Sequence, residues 1–365
     1  MEEKKMILKM IEDGKVTAEE GIKLLQAIEK DDSTSSSTQL STDVNWEKGN
    51  ESRENKTKSE ASSYATKFTD FVETAFKKIK EADFDFNFGS HVVVDHTFHH
   101  RDETPEVIDV SLENGAITLV PWEESDIRVE CQAHVYRVKD SEEARRIFLQ
   151  ETAFAVEDKK LTFHSKVKSL KVKTTIYVPK SSYDRVKLYS FNGEITASHL
   201  EVDTLDVNTL NGALTFEDVK AKKANVETVN GSIQLKDSTI HLVDAKTLNG
   251  TVFVGGKIQD ADIEAINGTL TYELESLDEA GFAELKTTTG TIHINVPSSI
   301  RLEGKFKTNV GGVSNAMADS EVLEEKKDFA NRSLHFVGNP SASPRVKVSA
   351  VSNTGSIKAK DLDQE

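Results

Sequence analysis

The sequence of 365 residues contains a single cysteine, Cys131, which excludes both an internal disulfide framework and a zinc site built from cysteine pairs. It has no run of about 18 apolar residues, so no transmembrane helix is expected. Its start, MEEKKMILKMIEDGK, lacks the apolar region and the small-residue cleavage site of a secretory signal. We therefore expect a cytoplasmic protein, with peripheral attachment to a membrane as an alternative.

Basic charge is also scarce. The chain has 46 Lys and Arg residues against 62 Asp and Glu residues, a net charge of -16. Such a surface repels phosphate backbones, so nucleic acid is not expected as a partner. The sequence contains no glycine-rich phosphate loop, no GxSxG and no HExxH. No cofactor and no catalytic residue are predicted.

Residues 1–30 predict a helix-turn-helix module. Asp13-Gly14 ends the first apolar stripe, and Thr17 with Glu20 forms a capping box for the second helix. About 28 residues bury too little apolar surface to be stable alone, so the module should bind a protein partner or a second copy of itself. The residues proposed for that contact are Met6, Met10, Ile22, Leu25 and Ile28.

Two further segments precede the main domain. Residues 31–63 are almost free of apolar side chains and predict a disordered linker. Residues 64–90 predict an amphipathic helix at 64–82 followed by alternating aromatic residues. This segment either caps the β domain that follows or lies in a membrane interface. Its candidate anchors are Phe68, Phe71, Phe76 and Phe84.

The fold is indicated by an Asn-Gly repeat. Its gaps are 19, 19, 19 and 18 residues, Thr289-Gly290 and Thr354-Gly355 continue it, and Asn114-Gly115 is an earlier outlier. A fixed period with alternating apolar residues is typical of repeat architectures. The corner residues are Asn192, Gly193, Asn211, Gly212, Asn230, Gly231, Asn249, Gly250, Asn267 and Gly268.

Two structures could use this repeat. Asn-Gly favours two-residue hairpins in an antiparallel meander, or it marks the same corner in every coil of a β-solenoid. The second half of each period, for example EDVKAKKANVETV, has no comparable turn, which favours the solenoid. We therefore predict a mainly β fold, a single-stranded β-solenoid with coils of about 19 residues. Gly212, Gly231 and Gly250 should then occupy positive-φ corners.

This β-solenoid domain is predicted to cover residues 91–365. Residues 91–185 and 299–346 follow the repeat only loosely, as terminal coils do. Residues 140–151, DSEEARRIFLQE, predict a helical insertion capped by Ser141, with Ala144, Ile147 and Phe148 on its apolar face.

Other residue clusters favour structural roles. His96, His99 and His100 lie near carboxylates, but adjacent histidines point to opposite sides of a strand, so an exposed loop is favoured over a metal site. Cys131 lies in an alternating strand and predicts a buried thiol. Carboxylates that an enzyme could use do not recur with basic partners at one coil position and are interpreted as solvated surface. These carboxylates are Asp203, Asp206, Asp218 and Asp237.

Two groups of segments carry a resemblance. The repeats TLNGALTF, TVNGSIQL, TLNGTVFV and INGTLTYEL resemble the adhesin-like β-strand repeats of a bacterial family of unknown function. The leading MILKMIEDGKVTAEEGIKLLQAIE resembles the helical module that precedes such repeats in YvlB-like proteins of Gram-positive bacteria, which are related to LiaX. The resemblance implies a non-enzymatic protein linked to cell-envelope stress and carries over no catalytic residues.

The function predicted from the sequence is that of a binding or scaffold protein associated with the envelope stress response. The solenoid presents a surface, and the N-terminal helices recruit a partner. The alternative is a lyase or hydrolase that acts on polysaccharides, because parallel β-helices also occur among such enzymes.

Overall fold

A computed structural model describes residues 90–328 and 331–362 of the chain. The chain divides into two compact units, Met1–Lys56 and Thr57–Glu365, and all described residues belong to the second. The helical pair predicted for 1–30, the linker predicted for 31–63 and the amphipathic helix predicted at 64–82 lie outside the described residues. Those three interpretations stay predictions.

The described residues are mainly β, with one helix, α1, at Ser141–Glu151. The strands before the regular repeats are β1 (His91–His100), β2 (Val107–Asn114), β3 (Ile117–Trp122), β4 (Ile127–Tyr136), β5 (Thr152–Glu157), β6 (Lys160–Ser165) and β7 (Leu170–Pro179). The regular repeats contain β8 (Ser182–Asn192), β9 (Ile195–Ser198), β10 (Glu201–Asn211), β11 (Leu214–Glu217), β12 (Lys220–Asn230), β13 (Ile233–Asn249), β14 (Val252–Asn267), β15 (Leu270–Leu274), β16 (Gly281–Thr289) and β17 (Ile292–Val296). The last strands are β18 (Arg301–Val310), β19 (Val313–Asn315), β20 (Ser320–Lys327), β21 (Arg332–Gly338), β22 (Arg345–Thr354) and β23 (Ile357–Asp361).

Each regular coil has a long arm, which is the strand that runs into the corner, and a short arm, which is the strand that leaves it. In one coil β10 is the long arm, Asn211 and Gly212 form the corner, and β11 is the short arm. β13 and β14 each join the short arm of one coil to the long arm of the next without a break. Like arms of successive coils pair in parallel, so the hairpin meander is wrong and the architecture is solenoid-like.

The parallel register places equivalent residues of successive coils on top of one another. The residue three positions after each corner Asn therefore forms an inward ladder of buried aliphatic side chains. The ladder is Ile117, Ile195, Leu214, Ile233, Val252, Leu270, Ile292 and Ile357. Because like shapes stack at the inter-strand spacing, this interior forms one continuous hydrophobic core.

The coils do not stack entirely in chain order. Asn114 pairs with Asn192, so the apparent outlier belongs to the first coil of the stack. At the other end, β22 lies between β16 and β18, which places the corner at Thr354 between those at Thr289 and Val310. The last coil of the sequence is therefore an internal coil of the structure.

The first end of the stack is closed by α1 and an aromatic group. The helix covers 141–151, and the side chain of Asp140 accepts a hydrogen bond from the Glu143 amide, so the cap is Asp140 and the prediction of Ser141 is wrong. Ala144 and Phe148 of the helix are buried. Phe98 lies at the centre of this closure, with ring centroids 5.3 to 6.1 Å away in Phe148, Phe154 and Phe163.

Candidate binding surface on the outside of the long arms

The corner asparagines form a hydrogen-bonded ladder along one edge of the stack. Nδ2 of Asn211 donates to Oδ1 of Asn192 over 2.7 Å, and Nδ2 of Asn230 donates to Oδ1 of Asn211 over 2.9 Å. The same contact joins Asn192 to Asn114, Asn249 to Asn230 and Asn267 to Asn249. Since these amides bind one another, this edge is structural.

The corner glycines are required for a different reason from the one predicted. Gly250 has φ of 158°, but Gly212 and Gly231 do not have positive φ, so the predicted positive-φ corner is wrong for them. A Cβ on Gly231 would lie 1.9 Å from the carbonyl oxygen of Gly212. The same approach, at 2.0 Å, separates a Cβ on Gly212 from the oxygen of Gly193. Close stacking of the backbones excludes any side chain there.

A row of hydroxyl groups binds the same glycine carbonyls from inside. The Oγ1 atoms of Thr209 and Thr228 donate to the oxygens of Gly193 and Gly212 over 3.1 and 3.2 Å. Equivalent bonds are made by Ser190, Thr247, Thr287, Thr308 and Ser352. Ala265 occupies this position in its coil and interrupts the row.

The outer side of the long arms, which we call the long-arm face, begins with an apolar row beside the corners. We call this row the outer apolar ladder, and it consists of Phe191, Leu210, Val229, Leu248 and Ile266, each directly before a corner Asn. Phe191, Leu210 and Val229 form a buried cluster separate from the main core. Ile266, at the far end, is 43% exposed.

Two charged rows follow the outer apolar ladder on the same face. The residues three before each corner Asn or Thr alternate in sign from Glu227 onward and form the row Asn208, Glu227, Lys246, Glu264 and Lys286. The residues five before the corner form the row Asp206, Asn225, Asp244, Asp262 and Glu284.

Ion pairs connect the two rows and also join Glu264 to Lys286 within one row. Nζ of Lys246 lies 3.0 Å from Oδ1 of Asp244 and 3.7 Å from Oδ2 of Asp262. Nζ of Lys286 lies 2.9 Å from Oε1 of Glu284 and 3.5 Å from Oε1 of Glu264.

Glu227, Asp244 and Lys246 are buried although they point away from the core, whereas the Lys286 side chain is 44% exposed. The Lys246 side chain is 0% exposed, and Glu227 is 3% exposed. Burial, reinforced by the charge of Asp244, raises the pKa of Glu227 to about 7. Burial likewise raises the pKa of Asp262 to about 7, although Lys246 opposes the shift. Burial alone would lower the pKa of Lys246, but Asp244 and Asp262 reverse the effect and raise it.

Three buried oxygens on this face have no hydrogen-bond partner, namely Oδ1 of Asn225, of Asp244 and of Asp262, although Oδ1 of Asp244 lies in the ion pair with Lys246. Within residues 90–328 and 331–362, the elements in extensive contact with β13 are its sheet neighbours β11, β12 and β14. A buried acceptor without a donor is unfavourable by about 1–3 kcal/mol. The long-arm face is therefore suited to receive hydrogen-bond donors and apolar side chains from a binding segment.

The four carboxylates considered for an enzyme do not form one site. Asp203 pairs with Lys222 over 2.7 Å, and Asp218 pairs with His199 over 2.7 Å. Asp206 pairs with Arg185, and Asp237 is exposed within β13, at the register shift of that strand, with φ of 49°. The acidic groups with the largest pKa shifts, Glu227 and Asp262, lie elsewhere.

The three histidines lie in strand β1, so the predicted exposed loop is wrong, and they are divided among separate partners. Nε2 of His99 lies 2.9 Å from Asp126, and Nε2 of His100 lies 2.9 Å from Glu103. His96 packs edge-on against Phe98. In the described part of the chain no group of three or more such side chains could hold a metal ion. Cys131 is buried, and burial raises the pKa of its thiol to about 12.

The long-arm face was not predicted from the sequence. Its signal was available, because the residue three before each corner changes from Glu227 to Lys246 to Glu264 to Lys286. The predicted contact residues in 1–30 and the candidate anchors Phe68, Phe71, Phe76 and Phe84 lie outside the described residues. None of the described helices is long and apolar enough to cross a bilayer.

Comparison with known proteins identifies two family matches. The model of the Toastrack DUF4097 family matches residues 106–358, and that of a SHOCT-like domain matches residues 2–33. The chain is 40% identical over 361 residues to the uncharacterized protein YvlB of Bacillus subtilis (strain 168), with 98% of each chain covered.

Solved structures in which the chain follows a similar path include a "putative adhesin" from Bacteroides fragilis. It has a TM-score of 0.40 and 12% identity, and the match covers 73% of this chain and 97% of that one. A "putative lipid binding protein" from Parabacteroides distasonis has a TM-score of 0.42 and 12% identity, with 72% of this chain and 96% of that one covered.

Proposed function

Since the chain belongs to the Toastrack DUF4097 family, we propose that it is a non-enzymatic binding scaffold of the bacterial cell-envelope stress response. Its domain is a single-stranded β-solenoid, and the long-arm face is the surface that binds. The link to envelope stress rests on the resemblance of the repeats and of the leading segment to YvlB-like proteins.

The observation that carries this proposal is the composition of the long-arm face. Lys246 and Asp244 are buried on the outside of a sheet whose inner side already supplies the core. Buried ion pairs stabilise a fold little, because the desolvation of two charges offsets their attraction. Such groups next to an apolar row provide specificity toward a binding segment that has matching charges and apolar side chains.

The polysaccharide-acting enzyme is the weaker candidate. The raised pKa values of Glu227 and Asp262 would suit an acid catalyst. However, Glu227 is only 3% exposed, which leaves a glycan no access to its carboxyl group. The exposed carboxylates Asp203 and Asp218 lie in separate ion pairs instead of facing a shared substrate position.

The N-terminal module supplies the second contact in this proposal. The SHOCT-like family model matches residues 2–33 as a unit apart from the β domain. In the proposal Met6, Met10, Ile22, Leu25 and Ile28 bind a protein partner or a second copy, at the membrane surface or in the cytoplasm. The net charge of -16 argues against nucleic acid as the partner.

Complementation of a deletion strain under cell-wall stress tests the proposal. We expect wild type to restore survival, and Leu25→Asp and Leu248→Arg each to fail at unchanged protein abundance. Thr215→Arg, on the outside of a short arm, is the matched surface control and should restore survival. Full rescue by both Leu25→Asp and Leu248→Arg would contradict the scaffold.

A second assay tests the enzymatic alternative. Purified full-length protein is incubated with peptidoglycan fragments and with acidic polysaccharides, and reducing ends and unsaturated products are measured. We expect no product above the buffer control. Product formation that is abolished by Asp262→Asn would overturn the proposal in favour of the enzyme.

A further inference from the structure

The middle of the long-arm face is buried, whereas Ile266 and the Lys286 side chain near its far end are 43% and 44% exposed. Lys246, Leu210 and Glu227 are 0%, 1% and 3% exposed, while the neighbours of their strands lie beside them in the same sheets. Polar side chains on the open side of a sheet normally remain hydrated. A segment packed over this face would account for the burial of these side chains.

The position at which the chain enters the β domain indicates which segment this is. His91 of β1 pairs with Tyr136 of β4, and the next pair of strands sets Val135 against Leu170. Nδ2 of Asn114 donates to the carbonyl of Lys168, which places this group of residues at the first corner. Residue 90 thus lies at the end of the edge along which the outer apolar ladder runs.

The length of the preceding segment matches the ladder. Five rungs at the inter-strand spacing span about 19 Å. A helix over residues 64–82 would be about 28 Å long. Its predicted apolar stripe contains Phe68, Phe71 and Phe76, and the lysines beside the stripe include Lys77 and Lys78.

We propose that residues 64–88 of this chain dock along the long-arm face, with the aromatic stripe on the outer apolar ladder and the lysines toward the carboxylate rows. Lysine donors also match the unpaired oxygens of Asn225 and Asp262. The alternative role as an end cap is already filled at the first end by Phe148 of α1 and by Phe98. This inference rests on the proposed function, because residues 64–88 would occupy the same face that a partner is proposed to bind.

Cysteine cross-linking of the full-length protein tests the docking. In a Cys131→Ser background, Phe68→Cys, Phe71→Cys and Phe76→Cys are each combined with Leu210→Cys or Leu248→Cys, and a short bismaleimide is added. The matched controls carry the same three substitutions with Thr215→Cys on the outside of a short arm. We expect at least one ladder pair to cross-link within the monomer at least tenfold faster than its control, at a rate independent of protein concentration.

Two results would overturn the inference. Ladder pairs that all react no faster than the Thr215 controls would show that the segment lies elsewhere. Cross-links found only in dimers, with rates that rise with concentration, would assign the face to a second copy. A reagent that modifies single cysteines at each position verifies that all of them can react.

The complementation assay separates this inference from the proposed function. Absence of cross-links together with loss of rescue by Leu248→Arg would refute the docking and retain the binding surface. Efficient cross-links together with full rescue by Leu248→Arg would retain the docking and refute the binding surface. Efficient cross-links with loss of rescue support both.

Discussion

The inner and outer sides of the same long arms show opposite patterns. On the inner side, each coil has a buried aliphatic residue two positions before the hydroxyl of its Thr or Ser. Examples are Val207, Val226 and Ala245. Facing outwards on neighbouring positions, Glu227 and Lys246 alternate in charge and are also buried. The inner side holds the coils together through like contacts, whereas the outer side retains polar groups that stabilise the fold little and are suited to recognition.

The largest expected effect on stability comes from placing a charged residue, of the kind found on the outer side, on the inner side of a strand. Ile233→Asp would bury an unpaired carboxylate between Leu214 and Val252. We expect a loss of about 4 kcal/mol or more in the free energy of unfolding, measured by urea denaturation. Gln234→Asp, the next residue on the outer side of the same strand, is the control and should change it by less than about 1 kcal/mol. Equal stability of the two variants would refute the inner ladder.

Backbone stacking at the corner should produce the next largest effect. Gly231→Ala would bring a Cβ to 1.9 Å from the Gly212 oxygen, so the coils must separate locally. We expect a loss of about 3 kcal/mol in the free energy of unfolding. Gly312→Ala is the matched control, because the nearest atom to its Cβ would be Ser356 Oγ at 3.6 Å. A wild-type melting temperature for Gly231→Ala would disprove the close approach.

The charged outer row should make stability depend on pH. The pKa of Glu227 is raised from 4.5 to about 7, so the folded state holds a proton that the unfolded state releases between these values. Stability from this group is complete below pH 4.5 and is lost as the pH rises through about 7. The side chain of the Glu227→Gln variant stays neutral. As the pH rises from 5 to 8, its free energy of unfolding should therefore increase relative to that of wild type by on the order of 2 kcal/mol.

Groups that face Glu227, namely Asp206, Asp244 and Lys246, also titrate or carry charge, so the difference between variant and wild type is the quantity to measure. Urea denaturation at each pH provides it. Glu217→Gln, at an exposed position, is the control and should show no such trend. A constant difference between Glu227→Gln and wild type from pH 5 to pH 8 would refute the burial of Glu227.

The smallest expected effect on stability comes from adding the hydroxyl group that is missing from the row at Ala265. Ala265→Ser would allow an Oγ to donate to the Gly250 carbonyl, as Thr247 donates to Gly231. We expect a gain of about 1 kcal/mol in the free energy of unfolding. Ala261 is also buried but does not face a corner glycine carbonyl. Ala261→Ser should therefore lower the free energy of unfolding. A loss at both positions would show that the corner carbonyl of Gly250 is not open to a donor.

Much of the repeat was predictable, since a parallel stack places equal positions of each period side by side. The buried ladder of Leu214, Ile233 and Val252 follows directly from their common distance to the corner Asn. The long-arm face was harder to predict. The alternation of Glu227, Lys246 and Glu264 is visible in the sequence, but an alternating charged row usually indicates a solvated surface. Its burial depends on what lies over the sheet.

By itself the sequence determined the period, the parallel register of the regular coils and the side of each strand that faces inwards, because identical residues at one distance stack only in that register. Tertiary structure alone decided that the coil with its corner at Thr354 lies between those at Thr289 and Val310. It also decided that Gly212 and Gly231 are required by backbone approach rather than by φ, and that the charges of Glu227 and Lys246 are buried. These features depend on which segments become neighbours in space, and a local repeat does not contain that information.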